Sequence, residues 1–205
     1  SALTTYGDIN TWDVSNITDM TMLFMSANIT NLDISEWDTS SVTNMQNMFR
    51  NSNNIQTLTL GQNFVTSSVT AMSDMFNGCR NLKTINGISA WDTSEVRSMT
   101  STFENCVNLE TLDVQDWDIS SVTNMYAMFE GLTLNIDTYD AILNKWSSIS
   151  TGETQIPTNV NFGGGNSKYS TTGQSARDTL VNTYNWTITD GGCTDCPLTY
   201  SVENV

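Results

Sequence analysis

Four aspartates stand at the same place in a recurring phrase: Asp13, Asp38, Asp92 and Asp118, each followed two residues later by serine. A carboxylate so placed can accept backbone N–H groups in an Asx turn, with the serine doing similar work. It can instead share calcium with its neighbours, or touch a ligand directly. Calcium loops gather several carboxylates in one short stretch, whereas each phrase here offers one. Turn capping is therefore the expected role, with calcium as the alternative. Asp113, Asp116 and Asp118 crowd around Trp117, and glycosidases need two carboxyls roughly 5–10 Å apart. The trio coincides with repeat positions, however, and is read as turn chemistry rather than catalysis.

The cysteines divide into two pairs. Cys193 and Cys196 form C-T-D-C just before Pro197, a spacing suited to a local disulfide. A zinc site would need a second pair, and a redox site a thioredoxin-like context. Cys79 and Cys106 share a column filled elsewhere by Ala27 and Ser52, so smallness and burial explain them as free thiols. A ladder disulfide between them would have to meet strict geometry.

Charge narrows the chemistry further. The 205 residues hold 22 Asp plus Glu against 7 Lys plus Arg and no His, for a net charge of -15. Such a chain repels a phosphate backbone and an anionic membrane face. It also cannot supply a Ser-His-Asp triad, a Cys-His pair or a His-bearing zinc site. Only 14% of residues are charged, so the polar surface is built from Asn, Ser and Thr. With 2 Pro, 12 Gly and 38% apolar residues, the chain is expected to fold. No run of 18 apolar residues and no basic-then-apolar start are present, so no membrane span or signal peptide is visible.

The elements that would position these groups are set by a repeat. Trp12–Phe24, Trp37–Phe49, Phe64–Phe76, Trp91–Phe103 and Trp117–Phe129 align without a gap, at spacings of 25, 27, 27 and 26 residues. The fourth column is always Ser, the ninth always Met and the thirteenth always Phe, while the sixth is Ile17 or Val. Ahead of each aromatic lies a short alternating segment such as Leu32 and Ile34, or Leu112 and Val114, which predicts a strand. The Trp, Met and Phe columns are expected inside, with Met filling irregular gaps. Units of this length cannot bury their apolar side alone, and stacking closes the core. The out-of-phase columns face water: Thr18, Thr43, Thr70, Arg97 and Thr123 in the seventh, and Asp19, Asn44, Ala71, Ser98 and Asn124 in the eighth. Thr18, Thr43, Asn44, Thr70, Thr123 and Asn124 are the candidate ligand-binding residues. Such a face could bind a glycan, order water, or simply keep the array soluble.

The phrase W-D-x-S-x-V-T-x-M-x-x-M-F, followed by C-x-x-L-x-x-L-D-V, resembles the repeat of BspA-like leucine-rich-repeat surface proteins over about residues 1–132. Residues 134–192, with YDAILNKW, VNFGGGNSKY, SARDTLVNTYNW and TITDGG, are similar to the closing segment of such secreted arrays. The resemblance implies an α/β repeat solenoid that is secreted or displayed at a cell surface, without enzymatic activity in the repeat, as a piece of a longer adhesin-like chain. The Phe64 unit departs from the pattern: Val65 replaces the Asp, and Gly61–Asn63 is an insertion.

The expected organisation is a leucine-rich-repeat-like solenoid over 1–132, a C-terminal α/β cap over 133–192 and a linker or tail over 193–205. In the cap, one helix is predicted over Asp137–Ile149, with Asp137 or Thr138 as N-cap, and a second from Thr172 or Ser175 to Tyr184. Strands are predicted at Val160–Phe162 and Trp186–Ile188. At the other end, Leu3, Ile9 and Trp12 match Leu82, Ile88 and Trp91, so the chain opens inside a half-unit, which suggests a preceding module or an exposed docking edge. The function these features suggest is an extracellular adhesion module for a protein or glycan ligand, joined to neighbouring domains, with no nucleic-acid partner and no membrane insertion. The alternative is a spacer or stalk segment of a larger secreted or virion surface protein. Five units at one strand spacing stack to about 20–25 Å, short for a spacer and adequate for recognition.

Overall fold

The computed structural model describes residues 7–109, 111–150 and 152–197; Leu3 and residues 198–205 of the expected tail lie outside them. Among the described residues, β1 (Asn31–Ile34), β2 (Thr57–Leu60) and β3 (Thr84–Asn86) form a parallel sheet in that order. Asn31 pairs with Thr57 and Thr57 with Thr84, so equivalent positions of successive units lie side by side. The alternation of β1 and β2 is as the pattern requires, with Leu32, Ile34, Leu58 and Leu60 turned inward. The strand ahead of Trp91 is β3, and the residues nearest Trp12 and Trp91, Ile9–Thr11 and Ile88–Ala90, form 3-10 turns. Gly87, at φ 94°, turns the chain out of its extended path just before the second. Residues 111–114, also expected as a strand, are irregular.

A second parallel ladder runs along the eighth column, from Asp19 to Asn44, Ala71, Ser98 and Asn124. From there each unit turns through residues whose N–H groups bond alternately within the unit and to the next one. Leu23 N–H donates to the Met20 carbonyl, whereas Met22, Phe24 and Ser26 donate to Gln46, Met48 and Arg50 of the following unit. This path needs two left-handed residues per unit. The first column of them is Met22, Asn47, Asp74, Ser101 and Ala127; the second is Ser26, Asn51, Gly78, Asn105 and Gly131. Most are short polar residues or glycine, which tolerate a conformation costing other L-residues about 1–2 kcal/mol. In the second column Asn and Gly alternate for a steric reason. A Cβ at Gly78 would meet Asn51 Oδ1, and one at Gly131 would meet Asn105 Oδ1.

The Met and Phe columns are buried throughout, from Met20 to Met125 and Phe24 to Phe129. Phe24, Phe49, Phe76 and Phe103 stack with centroids 5.3 Å apart and nearly parallel planes. The aromatic first column is buried at Trp37, Phe64, Trp91 and Trp117, but Trp12 is 45% exposed and Ile17 43%, because the first unit has a described neighbour on one side only. Trp37 Nε1 donates to the Ile9 carbonyl and Trp117 Nε1 to that of Ile88. Trp91 Nε1 is buried without a partner, and its preceding unit is the one that carries the insertion.

The third column holds a feature that the apolar pattern does not reveal. Thr39, Thr66 and Thr93 are fully buried, and each hydroxyl donates to the carbonyl of the following unit, at Val65, Asp92 and Asp118 respectively (2.8–2.9 Å). Val14 and Ile119 take this place at the two ends. Cys79 and Cys106 are free buried thiols whose Sγ atoms lie 3.0 and 3.1 Å from the Phe49 and Phe76 carbonyls, where Ser52 bonds Phe24. Burial pushes the Cys79 thiol up to about 12 and raises that of Cys106 well above its usual value, so both are neutral packing groups.

The parallel aromatic stack ends at Phe103, with Phe129 tilted 44° against it. Phe129 meets Phe162 edge-on at 80°, and Phe162 makes similar contacts with Trp146 and Trp186. Phe162 belongs to β4 (Asn161–Gly163), which pairs in parallel with β5 (Thr187–Thr189); each strand starts one residue later than its apolar run predicts. Met125 bridges to Phe162, so β4 continues the ladder of the last unit. Helix α1 (Ile136–Trp146) buries Tyr139, Ile142, Leu143 and Trp146, and helix α2 (Thr171–Asn182) buries Ala176 and Leu180. The cap of α1 is Asn135, not Asp137 or Thr138: its Oδ1 accepts from Thr138 N, two residues earlier than the apolar spacing suggests. Ser170 caps α2. Buried polar groups tie these pieces together: Asp140 accepts from the Ser170 N–H and hydroxyl, while Asp190 accepts from Tyr139 Oη and Arg177 Nε.

The buried threonines give a direct test of what joins the units. Thr66→Val keeps shape but leaves the Asp92 carbonyl without its donor, and is expected to cost about 1–3 kcal/mol in urea denaturation. A variant as stable as wild type would show that this ladder contributes nothing.

Candidate functional site

The Asp column caps its own turns. Asp13, Asp38, Asp92 and Asp118 each accept the N–H of the serine two residues on, at 2.8–3.1 Å. The serine side chain and then its N–H hold Asp13 and Asp38 below the usual carboxylate range; Thr21 does the same for Asp19. The eighth column makes a second line of turns, which sequence reading left facing water: Asp19, Asn44 and Asn124 accept the N–H two residues on, and Asn44 is half-buried. Other acids are engaged too. Asp116 pairs with Lys145 at 2.8 Å, and Asp113 accepts from Gln115. Among the described residues, one group could bring three metal-ligating atoms together: Cys193, Asp195 and Cys196. There the two sulfurs are bonded to each other, with Cα atoms 5.7 Å apart. This disulfide loop instead holds Asp195, whose Oδ1 accepts from Thr171 N at the start of α2, and Thr194, whose N–H donates to the Tyr169 carbonyl.

Thr18, Thr43, Thr70 and Thr123 are exposed in line, with Arg97 among them. Their backbones form a ladder: Thr43 donates to Thr18, Thr70 to Thr43, Arg97 to Thr70 and Thr123 to Arg97. The hydroxyls of Thr43, Thr70 and Thr123 donate to the same carbonyls, so towards solvent they offer acceptor lone pairs and methyl groups. At its last two members, residues 154–159 rise beside Arg97 and Thr123 to enclose a groove of about 620 Å³.

The second wall of this groove is fixed at both ends. Ser120, buried beneath it, accepts from Thr154 N through its hydroxyl and from Gln155 Nε2 through its carbonyl. At the far end Asn159 N donates to the Tyr184 carbonyl, and Trp186 Nε1 donates to that of Pro157 at 2.7 Å. Ser121, Thr123, Thr154, Gln155, Thr158 and Asn159 present exposed neutral polar side chains, over a floor that includes buried Val122 and Ile156. Of the expected ligand residues, Thr123 alone lines this groove. Residues 154–159 lie outside the repeat, so no column marks them; only the polar run Thr154, Gln155, Thr158 and Asn159 beside Pro157 hinted at a loop.

The geometry defines a repeat protein whose units stack in parallel and whose last unit shares a polar groove with the segment that follows. The chain belongs to the family described as Mycoplasma protein of unknown function, DUF285, whose profile matches twice, over residues 2–82 and 57–155. The start points of the two matches differ by about two repeat units. Comparison with curated proteins and with solved structures gives no match. Among the described residues no helix is long and apolar enough to cross a membrane.

Two outcomes follow from these contacts. The depressed folded-state values of Asp13, Asp19 and Asp38 mean that their contribution to stability is complete above the unfolded value of about 3.9 and is lost as pH falls through the lower folded values. Replacing all three by Asn, which keeps the turn acceptor but not the charge, should flatten the acid limb of the urea midpoint below about pH 4 relative to wild type. Reduction of Cys193–Cys196 should lower stability by about 2 kcal/mol on a loop-entropy basis. Amide exchange around residues 169–172 should then speed up, and the double Ser variant should match the reduced protein.

Proposed function

We propose that this chain is a solenoid of leucine-rich-repeat type, akin to BspA-like surface proteins, closed by a cap over 133–192. It works outside the cell as a non-enzymatic binding or adhesion module. The observation that carries this reading is the groove between Thr123 and residues 154–159. Its volume falls within the range of ligand clefts. Its walls are anchored by backbone and buried side-chain bonds, so little ordering is required on binding. Ser, Thr, Gln and Asn side chains can exchange hydrogen bonds with a polyhydroxylated ligand, which favours a saccharide over an apolar partner. The absence of histidine and the engagement of Asp113, Asp116 and Asp118 in local contacts support a binding role rather than hydrolysis.

The test is retention on an immobilised panel of neutral and acidic saccharides. Wild type should be retained, and Ser121→Ala combined with Thr158→Ala should weaken retention about tenfold by removing two hydrogen bonds. Thr18→Val, at the other end of the stack, should change nothing. Failure of wild type to be retained by any saccharide overturns the reading.

A further inference from the structure

We infer that the groove selects saccharides bearing a carboxylate, and that Arg97 is the residue that reads it. The inference rests on the binding role proposed above and narrows its ligand. In the seventh column Arg97 replaces the threonine found in the other four units, and it does so at the groove. It is exposed, and its guanidinium has no ion-pair or hydrogen-bond partner among the described residues. Arg50, Lys145 and Arg177 are each paired with an aspartate, and Arg80, Lys83 and Lys168 do not line this groove.

The sequence holds 22 Asp and Glu, yet among the described residues none lines the same groove. The nearby carboxylates point their hydrogen bonds elsewhere: Asp118 caps Ser120 N, and Glu153 accepts from Ser150 N. Together with Asp92 and Asp116, these two line a separate hollow beside Trp91. An anion entering the groove therefore meets a planar cation capable of bidentate contact and neutral hydroxyl and amide groups around it. At physiological salt the Debye length is about 8 Å, so acids farther than that from the groove are largely screened. A uronic or sialic acid unit fits this set of groups: one carboxylate for Arg97, and ring hydroxyls for Ser121, Thr123, Thr158 and Asn159. An acidic peptide carries more charge and fewer hydroxyls, and would leave most of the neutral groups without partners.

Calorimetry on the whole chain in about 0.15 M salt separates the possibilities. The probes are a uronic acid trisaccharide against its carboxyl-reduced form, sialyllactose against lactose, and hexaglutamate. At least one acidic saccharide should bind tenfold or more tightly than its neutral partner. Arg97→Ala should abolish that difference without changing the melting temperature, and Arg97→Lys should restore part of it. Whichever acidic sugar binds identifies the source of the carboxylate. Equal binding of acidic and neutral forms, or a preference that survives Arg97→Ala, overturns the inference while the saccharide reading stands. Arg97-dependent binding of hexaglutamate without saccharide binding overturns the saccharide class itself. Silence towards these probes and towards the whole panel overturns both.

Discussion

Everything in this molecule depends on where the backbone N–H groups of the turn segment go. At alternate positions from Met20 to Ser26 they donate to the carbonyls of the following unit, and the pattern repeats unit by unit as far as Phe129, which donates to Gly163. A unit taken alone would leave these groups without partners, so local folding and stacking are one event. The side chains obey the same constraint. Equivalent residues lie one strand spacing apart, and each column must be filled by groups that tolerate their own copies as neighbours. Flat aromatic rings stack, flexible Met packs, Thr and Cys donate to a carbonyl of the adjacent unit, and short polar residues accept a left-handed backbone. The repetitive composition is what that demand looks like in one dimension.

Much of the architecture can be read from the columns, because burial repeats with them. Met, Phe and the later aromatic positions lie inside as their phase requires, and both helices of the closing segment fall within two or three residues of their apolar spacing. What escapes the columns depends on neighbours. Trp12 is identical in type to Trp37 but lacks a described unit against its outer side, and is left half-exposed. Ile88 stands as far from Trp91 as Ile34 of β1 does from Trp37, yet it opens a 3-10 turn, preceded by Gly87 at a left-handed φ. The buried Thr column reads as polar and therefore as exposed. Its hydroxyls go inside because a carbonyl of the next unit waits there, a fact invisible without the stacking partner.

The groove escaped for a related reason. One wall comes from the repeat and the other from residues 154–159, which lie more than thirty positions beyond Ser120 in sequence and are joined to it by side-chain hydrogen bonds. The repeat alone makes a long, nearly uniform strip of threonine, with little to distinguish one place from another. The segment that hides the last unit's core breaks that uniformity. Stability and recognition thereby share a single construction: the elements that cover Phe129 with Phe162 and Trp146 also raise the wall beside Thr123. The surplus of acids takes part as well, since most are spent on turns or paired, leaving this one face free of them.

The alternation of Asn51, Gly78, Asn105 and Gly131 couples positions that lie a whole unit apart in the chain. Asn51 and Asn105 each occupy the space that a Cβ at Gly78 and Gly131 would need. A side chain at either glycine therefore requires the asparagine of the preceding unit to give way first, so a change in one unit is felt by its neighbour through a single amide oxygen.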